Sequence, residues 1–317
     1  MRTSKLLIKV ILLGLICLVP FVSCKYDIHR FFFRGPRIDD RAASLKQLPP
    51  PFVQKNGSIQ FAIITDLHFG SKRDRSEAEL IQSLKNAEPL DFIVLLGDVV
   101  ETGFDSYFSQ CEDFIKRLRG FLGKQDLPVY VVLGNHDLYY DGYDRWQKLD
   151  FSWNQGEPFF RFETEVFDSA GNSNLRSWYF LDTASGMVGT SQLENLTKAM
   201  KSDKNPKMVF SHYPIYIDRD FSTPFKLSDP RERATLVTLF DKNGVDMVFS
   251  GHWHEGGFFD FGKFSELCCA SLVENSKDES CWYVLALDET TKQLSIERFS
   301  VHGGKTSSTL QSYSLGG

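Results

Sequence analysis

The chain has 317 residues, enough for one large domain or two small ones with a sizeable buried core. With 42% hydrophobic and 24% charged residues it reads as globular, which excludes bulk disorder, and it carries no internal repeat. The net charge of −5 is uneven: residues 1–24 hold three basic and no acidic residues and 25–51 hold six basic and three acidic, so 52–317 carries −11. An acidic main domain argues against general binding of nucleic-acid polymers, and none is expected as a partner.

Arg2, Lys5 and Lys9 precede or interrupt an apolar run from Leu6 to Val22, which leads into Ser23-Cys24. A basic start before an apolar middle is a secretory leader pattern, so residues 1–24 are expected to direct export. The run is short for a spanning helix of ~20 residues, and Pro20 would interrupt one. Phe21-Val22-Ser23-Cys24 resembles a bacterial lipobox, with Phe21 where Leu is usual. Three outcomes stay open: a membrane-anchored lipoprotein lipidated at Cys24, a soluble periplasmic or secreted form, and an uncleaved anchor. Residues 25–51, ending in Pro49-Pro50-Pro51, read as a flexible basic linker, and their charge would be drawn to anionic lipid. The membrane is therefore an expected partner, through Cys24 or the N-terminal segment.

Residues 52–302 read as the main domain. Five short apolar runs there each end in a residue able to bind metal. Phe61–Thr65 runs into Asp66, Phe92–Leu96 into Gly97-Asp98, and Val129–Leu133 into Gly134-Asn135-His136-Asp137. Met208–Ser211 runs into His212, and Met247–Ser250 into Gly251-His252. Continuous apolar runs of this length predict strands buried on both faces. Between them lie helix signals: Ser76 with Glu79, Ser191 with Glu194 as capping boxes, and Asp229 as an N-cap before Pro230. This alternation predicts an α/β fold with a largely parallel core. Ligands bind beyond the carboxyl ends of such strands, so the five clusters are expected to converge along one sheet edge. Residues 158–182 and 257–300 predict further strands of a second sheet, and the Gly/Ser-rich 303–317 predicts a loose tail.

Of seven histidines, five fall in these strand-end clusters: His68, His136, His212, His252 and His254. A single histidine after a strand is usually a packing residue; five beside Asp66, Asp98 and Asn135 point to metal. Asp66-x-His68 and His252-x-His254 each offer two ligands on one short turn, and Asp98 is placed to bridge two ions. Imidazole with carboxylate suits Zn, Mn, Fe or Co. No CxxC spacing supports a zinc–thiolate site. Cys111 lies on an apolar helical stripe with Phe108, Ile115, Leu118 and Leu122, and Cys281 could pair with Cys268 or Cys269 after export.

From Asp66 to His254, the ordered set Asp66-x-His68, Gly97-Asp98, Gly134-Asn135-His136-Asp137, His212 and Gly251-His252-x-His254 resembles the calcineurin-like metallophosphoesterase superfamily. The resemblance implies a four-layer α/β/β/α sandwich of two mixed sheets flanked by helices, and a site for two divalent or transition metal ions. It gives one ion to Asp66, His68, Asp98 and His254, and the other to Asp98, Asn135, His212 and His252. His136 would stand near the leaving oxygen, with Asp137 as its orienting partner. Such paired ions acidify a bridging water, whose hydroxide attacks phosphorus in line, while His136 protonates the leaving group. The implied activity is hydrolysis of phosphate mono- or diesters, with a small phosphate ester as substrate.

Glu101 stands where purple acid phosphatases have a metal-binding Tyr, and their first motif lacks the equivalent of His68. Gly97-Asp98-Val99-Val100-Glu101 also departs from the Gly-Asp-x-x-Asp-Arg-Gly of Ser/Thr protein phosphatases. The pattern is closer to the cyclic-nucleotide phosphodiesterase and general phosphoesterase branches of bacteria. A cyclic-nucleotide or nucleotide phosphodiesterase is the narrower alternative, and a non-catalytic, metal-stabilised surface binding lipoprotein the contrasting one. Tyr139, Tyr140, Tyr143, Trp146 and Trp253 are available to stack on a base or to pack the core. Arg145, Arg161 and Arg219 are available for phosphate.

Overall fold

The protein is described here by a computed structural model covering residues 35–87, 89–168, 170–218 and 225–316. The leader, Cys24 and Arg219 lie outside the described residues. In chain order the strands are β1 (Lys46–Gln47), β2 (Lys55–Asn56), β3 (Ile59–Ile64), β4 (Phe92–Leu95), β5 (Val129–Val131), β6 (Phe160–Phe167) and β7 (Ser173–Phe180). They continue as β8 (Lys207–Phe210), β9 (Val245–Ser250), β10 (Gly257–Asp260), β11 (Ser265–Cys268), β12 (Glu279–Asp288), β13 (Gln293–His302) and β14 (Lys305–Ser314).

They form two sheets. One is six-stranded, in the order β14-β13-β12-β3-β4-β5; the other is eight-stranded, β1-β6-β7-β8-β9-β11-β10 with β2 also on β6. Strands β3, β4 and β5 are parallel, as are β7, β8, β9 and β11. The five ligand-bearing runs are thus divided: three lie in the first sheet and two in the second. This corrects the expectation of a single sheet edge. An apolar run buried on both faces has the same sequence signature in either sheet, so the pattern could not assign it.

The sheets meet across an aromatic core. Phe61 stacks on Phe92 at 5.0 Å and Phe160 on Phe180 at 4.3 Å, while Trp178 meets Phe61 edge-on at 5.4 Å. Each such side chain gains about 1.5–3 kcal/mol by leaving water, and the ring geometry adds roughly 0.5–1.5 kcal/mol per pair. The Trp178 indole N–H, buried here, donates to Thr164 Oγ1 at 2.8 Å. Helices Glu77–Asn86 and Asp105–Leu122 cover the outer face of the first sheet through Leu80, Leu84, Phe108, Phe114 and Leu118. Helices Thr190–Ser202 and Pro230–Lys242 cover the second through Leu196, Met200, Leu236 and Phe240. The result is the α/β/β/α sandwich.

Several local expectations change. Asp229 caps its helix as expected, accepting from the Arg231 N–H at 2.7 Å behind Pro230. Neither capping box forms. Ser76 sits at φ 44° with its hydroxyl on Asp74, and the helix at Thr190 has its first N–H groups held by Glu232 and Asp39 from elsewhere in the fold. The 25–51 segment is not a linker throughout: Ile38 and Ala42 are buried, Arg41 pairs with Asp182, and β1 joins β6. Residues 303–317 are not a loose tail. Gly303 and Gly304, both at positive φ, turn the chain so that β14 pairs with β13 over ten residues. Cys111, Cys268, Cys269 and Cys281 are buried free thiols, so the Cys281 pairing left open by the sequence is not made. Among the described residues no helix is long and apolar enough to cross a membrane.

Candidate metal centre

The carboxyl ends of β3, β4, β5, β8 and β9 meet at one end of the sandwich, and the backbone there is bent hard. Asp66, His68, Asp98 and His252 all take positive φ, between 45° and 63°. Non-glycine residues rarely adopt this region, and such strain gathers at functional sites. Close approach has a second requirement. A Cβ at Gly134 would lie 2.1 Å from the Asp98 nitrogen and 2.2 Å from its Oδ1, and one at Gly251 would lie 2.1 Å from Thr65 Oγ1. Only glycine lets these loops cross so near the ligands.

The side chains converge as two groups. Asp66, His68 and His254 form one, and Asp98, His212 and His252 the other. His254 Nε2 lies 3.2 Å from Asp66 Oδ1 and 3.3 Å from His68 Nε2. His212 Nε2 lies 3.3 Å from Asp98 Oδ2 and 3.1 Å from Asn135 Oδ1. Asp98 Oδ2 is also 3.8 Å from His68 Nε2, so this carboxylate stands between the groups. His68, Asp98 and His136 form a further, overlapping group.

Other atoms fix these orientations. The Leu96 carbonyl takes His212 Nδ1 at 2.7 Å, leaving Nε2 toward Asp98. Asp66 Oδ2 accepts from Thr65 Oγ1 at 2.7 Å and the His252 N–H at 3.0 Å. His136 Nδ1 lies 2.7 Å from the Glu101 carbonyl, and the His136 N–H donates to Asp98 Oδ1 at 2.8 Å. The Glu101 carboxylate stands 2.9 Å from His68 Nδ1.

The electrostatics favour a cation. Burial pushes the Asp66 carboxyl upward, but the His254 and His212 imidazoles outweigh it and hold it well below the ordinary range. For Asp98, too, burial is outweighed, here by His212, His136 and His68. Burial lowers His212, yet the Asp98 charge lifts it to about 9. The carboxylates are ionised by borrowed positive charge. Asp66 Oδ1 is buried without a hydrogen-bond partner while facing two imidazole nitrogens. An orphan oxygen of this kind, ringed by imidazole donors, fits a transition or divalent ion.

All seven expected ligands therefore lie in the cluster, and His136 lies at its rim. The expected role of Asp137 does not survive. Its buried carboxylate accepts from the Gly134 and Val100 N–H groups at 2.9 and 3.2 Å, and burial beside Asp98 pushes it up to about 7. It shapes the loop, while the Glu101 carbonyl orients His136. The sequence marked Glu101 only as a difference between subfamilies; its place three residues after Asp98 was the available signal. Of the aromatics, Tyr143 and Trp146 are core. Tyr139 meets the His136 ring edge-on at 5.0 Å, Tyr140 is exposed and stacks on Phe104, and Trp253 stacks on Phe259. Arg145 is paired with Glu112, and Arg161 with Asp203.

A two-sheet sandwich whose strand ends gather two histidine–aspartate groups around a shared carboxylate defines a dinuclear-metal hydrolase class. The chain belongs to the calcineurin-like phosphoesterase family, whose model matches residues 59–256, and that family is dinuclear-metal dependent and hydrolyses phosphoric esters. It is 31% identical over 205 residues to a serine/threonine-protein phosphatase, CPPED1, of Danio rerio, covering 57% of this chain and 60% of that one. It is 24% identical over 203 residues to a probable cyclic nucleotide phosphodiesterase of Fibrobacter succinogenes, covering 62% and 73%. The chain thus spans less than two thirds of the first of these relatives. Among solved structures, GAP50, described as the anchor in the inner membrane complex of Plasmodium, superposes with a TM-score of 0.63 at 18% identity, covering 82% of this chain and 89% of that one. The purple acid phosphatase PPD1 of yellow lupin gives 0.56 at 14% identity, covering 84% and 55%. These two likenesses concern the fold.

Proposed function

We propose that this protein hydrolyses phosphate mono- or diesters with two divalent or transition metal ions, outside the cytoplasm. The observation that carries the reading is the shared Asp98 carboxylate between two imidazole-bearing groups, with His136 beside them. Asp66, His68, Asp98 and His254 would hold one ion, and Asp98, Asn135, His212 and His252 the other. Bound ions would supply Lewis acidity, an acidified water and charge neutralisation at the phosphoryl oxygens.

The chain's own residues do the rest. The Leu96 carbonyl fixes the His212 tautomer so that Nε2 serves the site. Accepting from the His136 Nδ1–H, the Glu101 carbonyl leaves Nε2 for the substrate. There the imidazole donates a proton to the departing alkoxide. Tyr139, set edge-on to that ring, limits its rotation.

Purified protein assayed on p-nitrophenyl phosphate and bis(p-nitrophenyl) phosphate, with and without Mn, Fe, Zn or Co, tests the reading. Absence of turnover on both with every metal would overturn it. Asp98→Asn should abolish turnover, whereas a purely binding protein would keep its function. The name of the Fibrobacter relative supports a second, narrower reading, hydrolysis of cyclic nucleotides, which a direct comparison with phosphomonoesters decides. Export, with a lipid at Cys24 or an N-terminal anchor, is supported by the basic-then-apolar start and Ser23-Cys24. Membrane fractionation of wild type and Cys24→Ser tests it; recovery of both in the cytosol overturns it.

A further inference from the structure

We propose that Arg41, which lies ahead of the family-matched region, is a positioning residue for the second ligand group and acts on His212 and His252 through the Asp182–Thr183 turn. The inference rests on reading His212 as a metal ligand. It goes beyond that reading by giving the segment before the matched domain a part in building the site.

The chain of contacts is short. The Arg41 guanidinium is 3% exposed and grips the fully buried Asp182 carboxylate with two bonds, Nε to Oδ2 at 2.6 Å and Nη2 to Oδ1 at 3.1 Å. The same Nη2 reaches Ser185 Oγ at 2.9 Å. A planar fork meeting a carboxylate in this way fixes direction as well as distance. Asp182 Oδ1 also accepts from the Ala184 N–H at 3.1 Å, so the grip extends to the turn itself. Thr183, between them, is buried. Its Oγ1 accepts from the backbone N–H of His212 at 3.0 Å and of Tyr213 at 2.9 Å. The Tyr213 ring in turn stacks on the His252 imidazole at 3.8 Å. One hydroxyl therefore sets the height of His212 and, through Tyr213, of His252, the two histidines of the second group. Beyond them the His252 N–H donates to Asp66 Oδ2, while none of these contacts touches His68 or His254. Gln192 holds the Asp182 backbone from the other side, through its N–H and carbonyl, so the turn keeps its place while Arg41 fixes its tilt.

The two ligand groups should respond differently. In the full chain, calorimetric Mn2+ binding to Arg41→Ala and to Thr183→Val should show one of two sites weakened about tenfold or more, as outer partners of metal ligands typically do, and the other near wild type. Arg41→Lys keeps the charge without the fork and should fall between. Asp39→Ala removes a different contact of the same segment, the cap on Ser191, and should lower the melting temperature with both sites intact. Should Arg41→Ala fail to fold, Thr183→Val and Arg41→Lys carry the test. Wild-type affinity at both sites in the folded variants overturns the inference, as does equal weakening of both, which would indicate general loosening. His212→Ala separates the two ideas: if it keeps both sites, the ligand reading fails, and if it loses one while Thr183→Val loses none, only the role of Arg41 fails.

Discussion

His68 Nε2 and His254 Nε2 face each other at 3.3 Å across 186 residues of sequence. Only one proton can lie between them, and Asp66 Oδ1, 3.2 Å from His254 Nε2, is buried without a hydrogen-bond partner. A bound cation would be held by Asp66, His68 and His254 and would satisfy all three lone pairs. Without it the protein holds a half-satisfied polar cluster at the mouth of its core, a costly arrangement.

Chelation should therefore lower stability as well as any turnover. A ligand present at about a hundredfold over its Kd contributes ~2.7 kcal/mol, which for a domain of this size is roughly 5–10 °C in Tm. Thermal unfolding before and after EDTA, then with Mn or Zn restored, measures it. An unchanged Tm in all three states would show that the cluster is satisfied without metal.

His136→Ala should leave metal content at wild type, because neither proposed ligand set includes His136, although it also forms an overlapping group with His68 and Asp98. Its kcat should fall by about 10²–10⁴ on an alkyl phosphate, the usual worth of a placed general acid. The loss should be smaller on a p-nitrophenyl ester, whose leaving group needs little protonation. Equal losses on both substrates would assign His136 to metal positioning.

The fold class and the convergence of the seven expected ligand residues were legible because their clusters close apolar runs, and apolar runs are what sequence shows best. The division of those runs between two sheets was not legible, since Phe61, Phe92, Phe210 and Phe249 are buried alike in either. Tertiary contacts decided the rest. Ser191 matched a local cap, but the helix found its caps in Glu232 and Asp39. Gly303-Gly304 looked like tail composition until a facing strand made it a hairpin turn. Asp137 looked catalytic by its place beside His136, although its carboxylate turns inward to the Gly134 and Val100 amides. A one-dimensional motif records neighbours in sequence and not the direction a side chain takes.

Gly134→Ala tests the crossing of the β4 and β5 loops. The added methyl would meet Asp98 N and Oδ1 at 2.1 and 2.2 Å, distances no packing tolerates. The loop must shift, and Asp98, which serves both ion groups, shifts with it. Metal stoichiometry after purification should fall below that of wild type, with stability reduced by about 1–3 kcal/mol for the overpacking. Full occupancy in the variant, measured by elemental analysis, would mean that the loops have more freedom than the contact allows.

Far from the site, Arg176 is fully buried between Glu289 and Asp246, bonding Glu289 through Nε and, at 3.2 Å, Nη2, and Asp246 at 2.6 Å. It ties β7 and β9 of one sheet to the β12–β13 turn of the other. Burial pushes the Glu289 carboxyl upward, but the Arg176 guanidinium outweighs it and holds it below the ordinary 4.5. The sign follows from linkage. A carboxyl depressed in the folded state contributes stability that is fully present above its unfolded value, and that contribution is lost as pH falls through the folded value. Urea unfolding of the wild type should therefore show stability declining below about pH 4.5. Glu289→Gln should lose about 1–3 kcal/mol at pH 7, because it leaves the buried guanidinium with Asp246 as its remaining carboxylate partner, and should then show a shallower decline in acid. Parallel declines in wild type and variant would assign the acid sensitivity to other carboxylates.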